Sequence, residues 1–213
     1  MTGSIENRRH FCLAAVAIAA LAFGPAAHAR KSPLEKAVES AVESALEPGS
    51  TTVAGTGQVE FAFSPREGAE GLVIKAIRSS RHDIRMLAYA LTSAPIVEAL
   101  IAAHKRGVDI AVVADYKENI KADRSGKAHA ALSALVTSGI AVRTIDVYAI
   151  HHDKTLVIDG ATVQTGSFNY TQAAAKSNSE NVIVLWNNPQ LARGYLAHWE
   201  RNWKQGRAFE PAY

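Results

Sequence analysis

The segment that most restricts the fold is Val108–Ala114, which reads Val-Asp-Ile-Ala-Val-Val-Ala and follows directly on Gly107. A strand with one wet face alternates apolar and polar side chains. This one is apolar almost throughout, so it needs cover on both faces. The sequence on either side supplies that cover. Upstream, Ser93 precedes a helical segment with Pro95 in its first turn and Gly107 beyond its end, an arrangement that starts and stops a helix. Downstream, Ala128, Ala131, Leu132, Leu135 and Val136 recur at helical spacing and stop at Gly139.

The same alternation runs along most of the chain. Val59 to Phe63 and Ile84 to Ala90 read as strands, with a helix face at Ala69, Leu72, Val73, Ala76 and Ile77 between them. Further strands are expected near Ile140–Ile145, Lys154–Ile158, Thr162–Thr165 and Asn181–Trp186, then a last helix from about Pro189 to Lys204. The expected class is α/β, a mixed β-sheet flanked by helices in an α-β-α sandwich, without internal repeats.

The N-terminal part reads differently. Arg8 and Arg9 precede an apolar run from Phe11 to Phe23, and Ala27-His28-Ala29 offers a small-x-small cleavage site, the form of a secretory signal peptide. The run is short for a bilayer span, and the paired arginines also resemble a twin-arginine export signal. Residues 1–29 are therefore expected to be a signal peptide, placing the mature chain in the periplasm or outside the cell, with no stable membrane association after cleavage. Residues 30–57 read as an amphipathic helix over Leu34–Leu46 and a Pro-Gly-Ser-Thr linker, and 58–209 as the functional domain. The one cysteine, Cys12, lies in the signal, so the mature chain would hold no disulfide, thiol nucleophile or thiolate ligand. With 48% hydrophobic residues it can rely on its core, and a net charge of +3 permits a polyanionic partner without requiring one.

The chemistry concentrates in His151-His152-Asp153-Lys154-Thr155-Leu156-Val157-Ile158-Asp159-Gly160. Treated as extended strand, this stretch puts His152 and Lys154 on one face and His151 with Asp153 on the other, which argues against a metal site built from the two histidines. A histidine titrates near neutral pH and suits a nucleophile or a general acid–base. A lysine is a compact phosphate clamp, and Ser167 and Asn169 offer neutral donors at the tight turn after Gly166.

The combination H-x-K-x4-D followed by G-S-x-N resembles the signature of the phospholipase D superfamily. The resemblance extends from about Val59 to Phe209. It includes Arg85-Met86-Leu87-Ala88-Tyr89, Lys105-Arg106-Gly107-Val108-Asp109, Ser179-Glu180-Asn181 and His198-Trp199, all similar to the small bacterial non-specific endonucleases of that superfamily. It implies a catalytic set of His152, Lys154, Asn169, Ser167, Glu180 and the motif's Asp159. His152 is the nucleophile and Glu180 the carboxylate that orients it. Asp159 is expected at the strand's end on the opposite face, holding either backbone or a group behind the site, and His151 is expected to be a bystander. Neither metal nor cofactor is implied.

The implied chemistry needs two H-x-K units, one histidine to attack phosphorus and one to protonate the leaving oxygen, and this chain carries one. A two-fold homodimer sharing its site is therefore expected, with DNA, or RNA, as substrate. Lys117, Lys121, Arg124 and Lys127, in the segment after the buried strand, are candidate backbone grips. The alternative there is a solvated loop with Glu118 and Asp123 as counterions. Tyr116 and Tyr148 are candidates to stack on bases. The competing functions are a lipid phosphodiesterase, for which the sequence shows no large apolar surface loop, and an inactive phosphate-binding or nucleic-acid-binding module.

Overall fold

Strand β3 (Asp109–Asp115) divides its side chains between two cores. Ile110, Val112 and Ala114 face one and Ala111 and Val113 the other. Burial on both faces is thus the reason the run is apolar, as the sequence requires. The structure, a computed structural model, describes residues 32–38 and 49–211. The chain forms two units, Met1–Thr51 and Thr52–Tyr213.

In the first unit residues 33–38 are helical. Ser32 opens that helix by reciprocal capping: its Oγ accepts the Glu35 N–H (3.1 Å) and its own N–H donates to Glu35 Oε2 (2.7 Å). Most of the expected Leu34–Leu46 helix and residues 1–29 lie outside the described residues.

The second unit holds an eight-stranded sheet and its helices. In chain order it runs β1 (Gln58–Ser64), α1 (Ala69–Ser79), β2 (Asp83–Ala88), α2 (Ala94–Lys105), β3, a π-helical turn (Lys117–Lys121), α3 (Lys127–Thr137) and β4 (Ala141–Ile145). There follow β5 (Lys154–Ile158), β6 (Thr162–Gly166), a short α4 (Gln172–Lys176), β7 (Glu180–Trp186), α5 (Pro189–Gln205) and β8 (Arg207–Ala208). The strand order is β1-β7-β6-β5-β2-β3-β4-β8. Strands β2, β3 and β4 pair in parallel and the other pairs are antiparallel, so the sheet is mixed as expected.

The helices sit where the sequence signals place them. Ser93 caps α2 by accepting the Ile96 N–H, and Asn188 caps α5 by accepting that of Leu191 (3.0 Å). Helices α1, α2 and α3 contribute Val73, Ile77, Leu100 and Leu132 to the larger core. Helix α5 covers the opposite face, setting Trp199 against Leu87 and Val113, and Ala192 against Val157 and Val163. Among the described residues no helix is long and apolar enough to cross a membrane.

Three features had no clear sequence signal. These are the π-helical turn inside the polar segment after β3, the short α4, and β8, which pairs with β4 at the sheet's edge.

The β5–β6 hairpin fixes the far end of the signature. Asp159 and Gly160 both take positive φ (52° and 59°), and Ala161 N–H donates to Ile158 O (3.1 Å), the two-residue turn that Asp-Gly favours. The Asp159 carboxylate accepts the backbone N–H groups of Arg81 (2.9 Å), His82 (2.7 Å) and Asp83 (3.0 Å). Asp159 therefore ties the start of β2 to the end of β5, at the end of the strand away from His152. It holds backbone, as its strand-end position suggested, and the structure gives it no place among the reacting groups. Replacing Asp159 with Ala leaves those donors without a charged acceptor and is expected to cost about 2 kcal/mol, or roughly 4–8 °C in Tm. The folded variant should keep kcat near the parent value. A variant that melts normally but has lost turnover would return Asp159 to the reaction.

Candidate active site

The site forms where β2 and β5 end side by side, with Ala88 paired to Lys154. β5 starts at Lys154, so the strand alternation expected back to His151 does not extend that far. His151, His152 and Asp153 lie in the loop before it, and their facing is set by contacts instead of by pleat. His151 is buried, His152 exposed and Lys154 buried.

His152 and Lys154 still meet, through Tyr89. The His152 ring packs edge-on against Tyr89 with centroids 4.6 Å apart, and Lys154 Nζ lies 4.9 Å from the same ring. Lys154 Nζ also donates to His152 O (2.8 Å). Burial pushes the Lys154 ammonium below the usual lysine range, opposed by the negative charges of Asp153 and Glu180. Tyr89 is itself held by donating its hydroxyl to Glu118 Oε2 (3.0 Å) and its backbone N–H to Asp153 O (2.8 Å).

Ser167 and Asn169 follow the end of β6. Gly166 takes φ 148°, and a Cβ there would collide with the main-chain oxygen of Asn181, so the G-S-x-N turn requires glycine. Ser167 Oγ donates to Glu180 Oε2 (2.6 Å) and accepts the Asn181 N–H (3.1 Å). Asn178 Nδ2 donates to Glu180 Oε1 (2.9 Å). Both Glu180 oxygens are therefore occupied, and among the described residues Glu180 makes no hydrogen bond to His152. The expectation that Glu180 stands behind His152 is not met within one chain. Here it orders the Ser167 turn and acts on Lys154 through its charge. Among the described residues Asn169 Oδ1 is buried without a hydrogen-bond partner.

The carboxylate beside His152 in sequence takes a role that sequence reasoning missed. Asp153 Oδ2 lies 3.1 Å from His198 Nε2 and 3.2 Å from His151 Nε2. The His151 approach has ion-pair distance but not hydrogen-bond alignment. Arg201 Nη2 stands 3.2 Å from His198 Nδ1, and a guanidinium only donates. His198 Nδ1 must therefore accept, which puts the ring proton on Nε2, facing Asp153. His151 is thus a buried structural partner of Asp153. Asp153 is held down to about 2, first by His151 and then by His198, against the upward push of its own partial burial. His198-Trp199 was legible only as part of the resemblance, and 45 residues separate His198 from its partner.

The four candidate backbone grips divide. Lys117 Nζ is committed to Tyr148 O (3.1 Å) and Ala149 O (2.9 Å), so it pins the loop before the motif and is not a free phosphate contact. Lys121 lies 5.7 Å from the Tyr116 ring. Arg124 and Lys127 are exposed. Glu118 and Asp123 are not their counterions: Glu118 binds Tyr89, and Asp123 accepts the Ser125 hydroxyl (2.8 Å) and the His129 N–H (2.9 Å). An open depression of about 330 Å³ adjoins His152, lined by Tyr148, Ile150, His151, Asp153, His198 and Asn202. Tyr148 and Ile150 are exposed there, a small apolar rim that the sequence did not reveal.

Comparison with known proteins agrees with this geometry. Residues 73–203 match the family described as "Cardiolipin synthase, PLD-like domain". A "Phospholipase D" of Rickettsia bellii is 37% identical over 142 residues, 67% of each chain. The "Mitochondrial cardiolipin hydrolase" of Danio rerio is 30% identical over 66% of this chain and 58% of its own. The crystal structure of the phospholipase D family member Nuc from Salmonella typhimurium superposes with a TM-score of 0.69 and 44% identity, covering 72% of this chain and 98% of that one. The chain belongs to the phospholipase D superfamily. It is a phosphodiesterase of that class, with a PLD-like α/β fold.

Asp153 has a pH signature. Its folded-state value lies below the ordinary 3.8, so the stability it contributes is fully present above about pH 4 and is lost as pH falls toward 2. Asp153→Asn should melt several degrees below the parent at neutral pH, and the gap should close between about pH 4 and 2. A gap that stays constant to pH 2 in thermal melts would show that the ionised carboxylate is not what holds the loop.

Proposed function

We propose that the chain is a metal-independent, sequence-nonspecific endonuclease that hydrolyses phosphodiester bonds of DNA, and also of RNA, through a covalent phosphohistidine at His152. The observation that carries this reading is the grouping of exposed His152 and buried Lys154 on one aromatic ring, with the Ser167–Asn169 turn at the neighbouring strand end. Similarity to Nuc, and to the small endonucleases of the superfamily along Val59–Phe209, supports a nucleic-acid substrate.

In the proposed mechanism His152 Nε2 of one chain attacks phosphorus. The P–O bond to the leaving oxygen breaks, and His152 of a second chain gives that oxygen its proton. The second histidine then takes a proton from water. The resulting hydroxide attacks phosphorus, the P–N bond breaks, and the phosphate product leaves. Lys154 and Asn169 balance charge on the non-bridging oxygens. The two histidines start in opposite protonation states, one neutral to attack and one charged to donate.

One H-x-K unit per chain supports the second copy. So does an apolar face on edge strand β1, where Val59 and Phe61 are 54% and 67% exposed. That strand pairs Ser64 with Glu180, so the face runs toward the site. Signal-directed export to the periplasm or beyond is part of the same reading.

A second reading, a lipid phosphodiesterase, is favoured by the names of the Rickettsia and Danio relatives and by the apolar rim at Tyr148 and Ile150. Supercoiled plasmid in excess EDTA separates the readings. The purified protein should nick it, and His152→Ala should lose at least about a thousandfold, the order seen when a nucleophile is removed. Activity that appears only on adding a divalent ion would contradict the metal-free mechanism. No nicking beside hydrolysis of phospholipid vesicles would favour the lipid reading.

A further inference from the structure

The loop before His152 holds its apolar side chains outward on a fixed main chain. Lys117 clamps the carbonyls of Tyr148 and Ala149, and the His151 N–H donates to Asp115 Oδ2 (2.8 Å). Tyr148 and Ile150 remain 39% and 53% exposed even so. A pinned loop that presents an aromatic ring and an aliphatic chain to water keeps a standing hydration cost that packing them inward would remove.

The depression behind this rim has two characters. Tyr148 and Ile150 supply an apolar wall, whereas Asp153, His198 and Asn202 supply a polar floor. Asp153 Oδ2 lies within 3.2 Å of both histidines, and among the described residues its Oδ1 has no protein partner. An acyl chain laid in this space would strip water from an ionised carboxylate without replacing its hydrogen bonds. A second phosphate would meet its negative charge. A flat heterocycle with apolar faces and N–H groups on its edge meets both surfaces at once. About 330 Å³ is room for such a ring and its hydration.

We propose that this depression is a nucleobase subsite, in which the base next to the scissile phosphate leaves its stack, lies against Tyr148 and turns its N–H edge to Asp153. The proposal rests on the nuclease reading above and adds a preference to it. Unpaired strands, whose bases swing out at little cost, are cleaved ahead of duplex.

The test uses the whole protein in excess EDTA with two single-stranded oligonucleotides of equal length, one ordinary and one with an abasic tetrahydrofuran residue at every position. Tyr148→Ala and Tyr148→Trp are compared with the parent, and melting curves verify that both variants fold. Tyr148→Ala is expected to raise KM for the ordinary oligonucleotide about tenfold with a smaller change in kcat, as loss of one stacked base predicts. Tyr148→Trp should stay near the parent. On the abasic strand all three proteins should have the same, raised KM. An equal loss by Tyr148→Ala on both strands, or no loss on either, would overturn the subsite while leaving the nuclease reading intact. If the parent cleaves neither oligonucleotide but hydrolyses phospholipid vesicles, the nuclease reading itself fails, and the base subsite with it.

Discussion

The catalytic end of the sheet is built on two buried polar side chains, Asp115 and Asn119. β2 and β3 run parallel and stop together, and the backbone groups just beyond them would be stranded in the core. Asn119 resolves this by accepting the Leu91 N–H (3.0 Å) and donating to Tyr89 O (2.6 Å) and Asp115 O (2.8 Å). Asp115 accepts the N–H groups of Glu118 (2.7 Å) and His151 (2.8 Å). Both are almost fully enclosed, at 0% and 1% exposure, where an unmade hydrogen bond costs the full desolvation of the group. One network therefore sets the end of β2, the π-helical turn and the approach to the motif. The site inherits its geometry, because Tyr89, fixed at that strand end, touches both His152 and Lys154.

From that base the site divides into a preorganised part and an available part. Lys154, Ser167 and Glu180 are all committed to protein partners, so the positions of their charges and dipoles are set before any substrate arrives. His152 is the exposed member, and among the described residues its ring packs only against Tyr89. Asp153 ties the neighbouring loop to α5 through His198, and Trp199, next on that helix, donates its indole N–H to Met86 O (3.1 Å) in β2. Helix α5 thus braces both the sheet under the site and the loop that carries it.

The strands and helices were legible in sequence because each is fixed by local signals: the two-sided apolar run of β3, the caps at Ser93 and Gly107, the Asp159-Gly160 turn. The grouping of the candidate site residues was legible because H-x-K-x4-D and G-S-x-N lie close together along the chain. What escaped was set by distance and by competing contacts. Nothing in sequence joins Asp153 to His198, or Lys117 to the carbonyls at Tyr148 and Ala149, because the fold alone brings them together. Glu180 was expected at His152, but the nearer Ser167 and Asn178 take its oxygens. His152 does group with Lys154, and His151 with Asp153, but through Tyr89 and the loop contacts instead of a strand pleat, because pairing begins only at Lys154.

In the proposed mechanism one chain supplies half a site. Wild-type and His152→Ala chains, denatured together and refolded at varied ratios, test it most directly. If each site draws His152 from two chains, a mixed dimer is dead, and an equal mixture retains about a quarter of the activity, following the square of the wild-type fraction. Activity in direct proportion to that fraction would show that a single chain carries a complete site and would contradict the account.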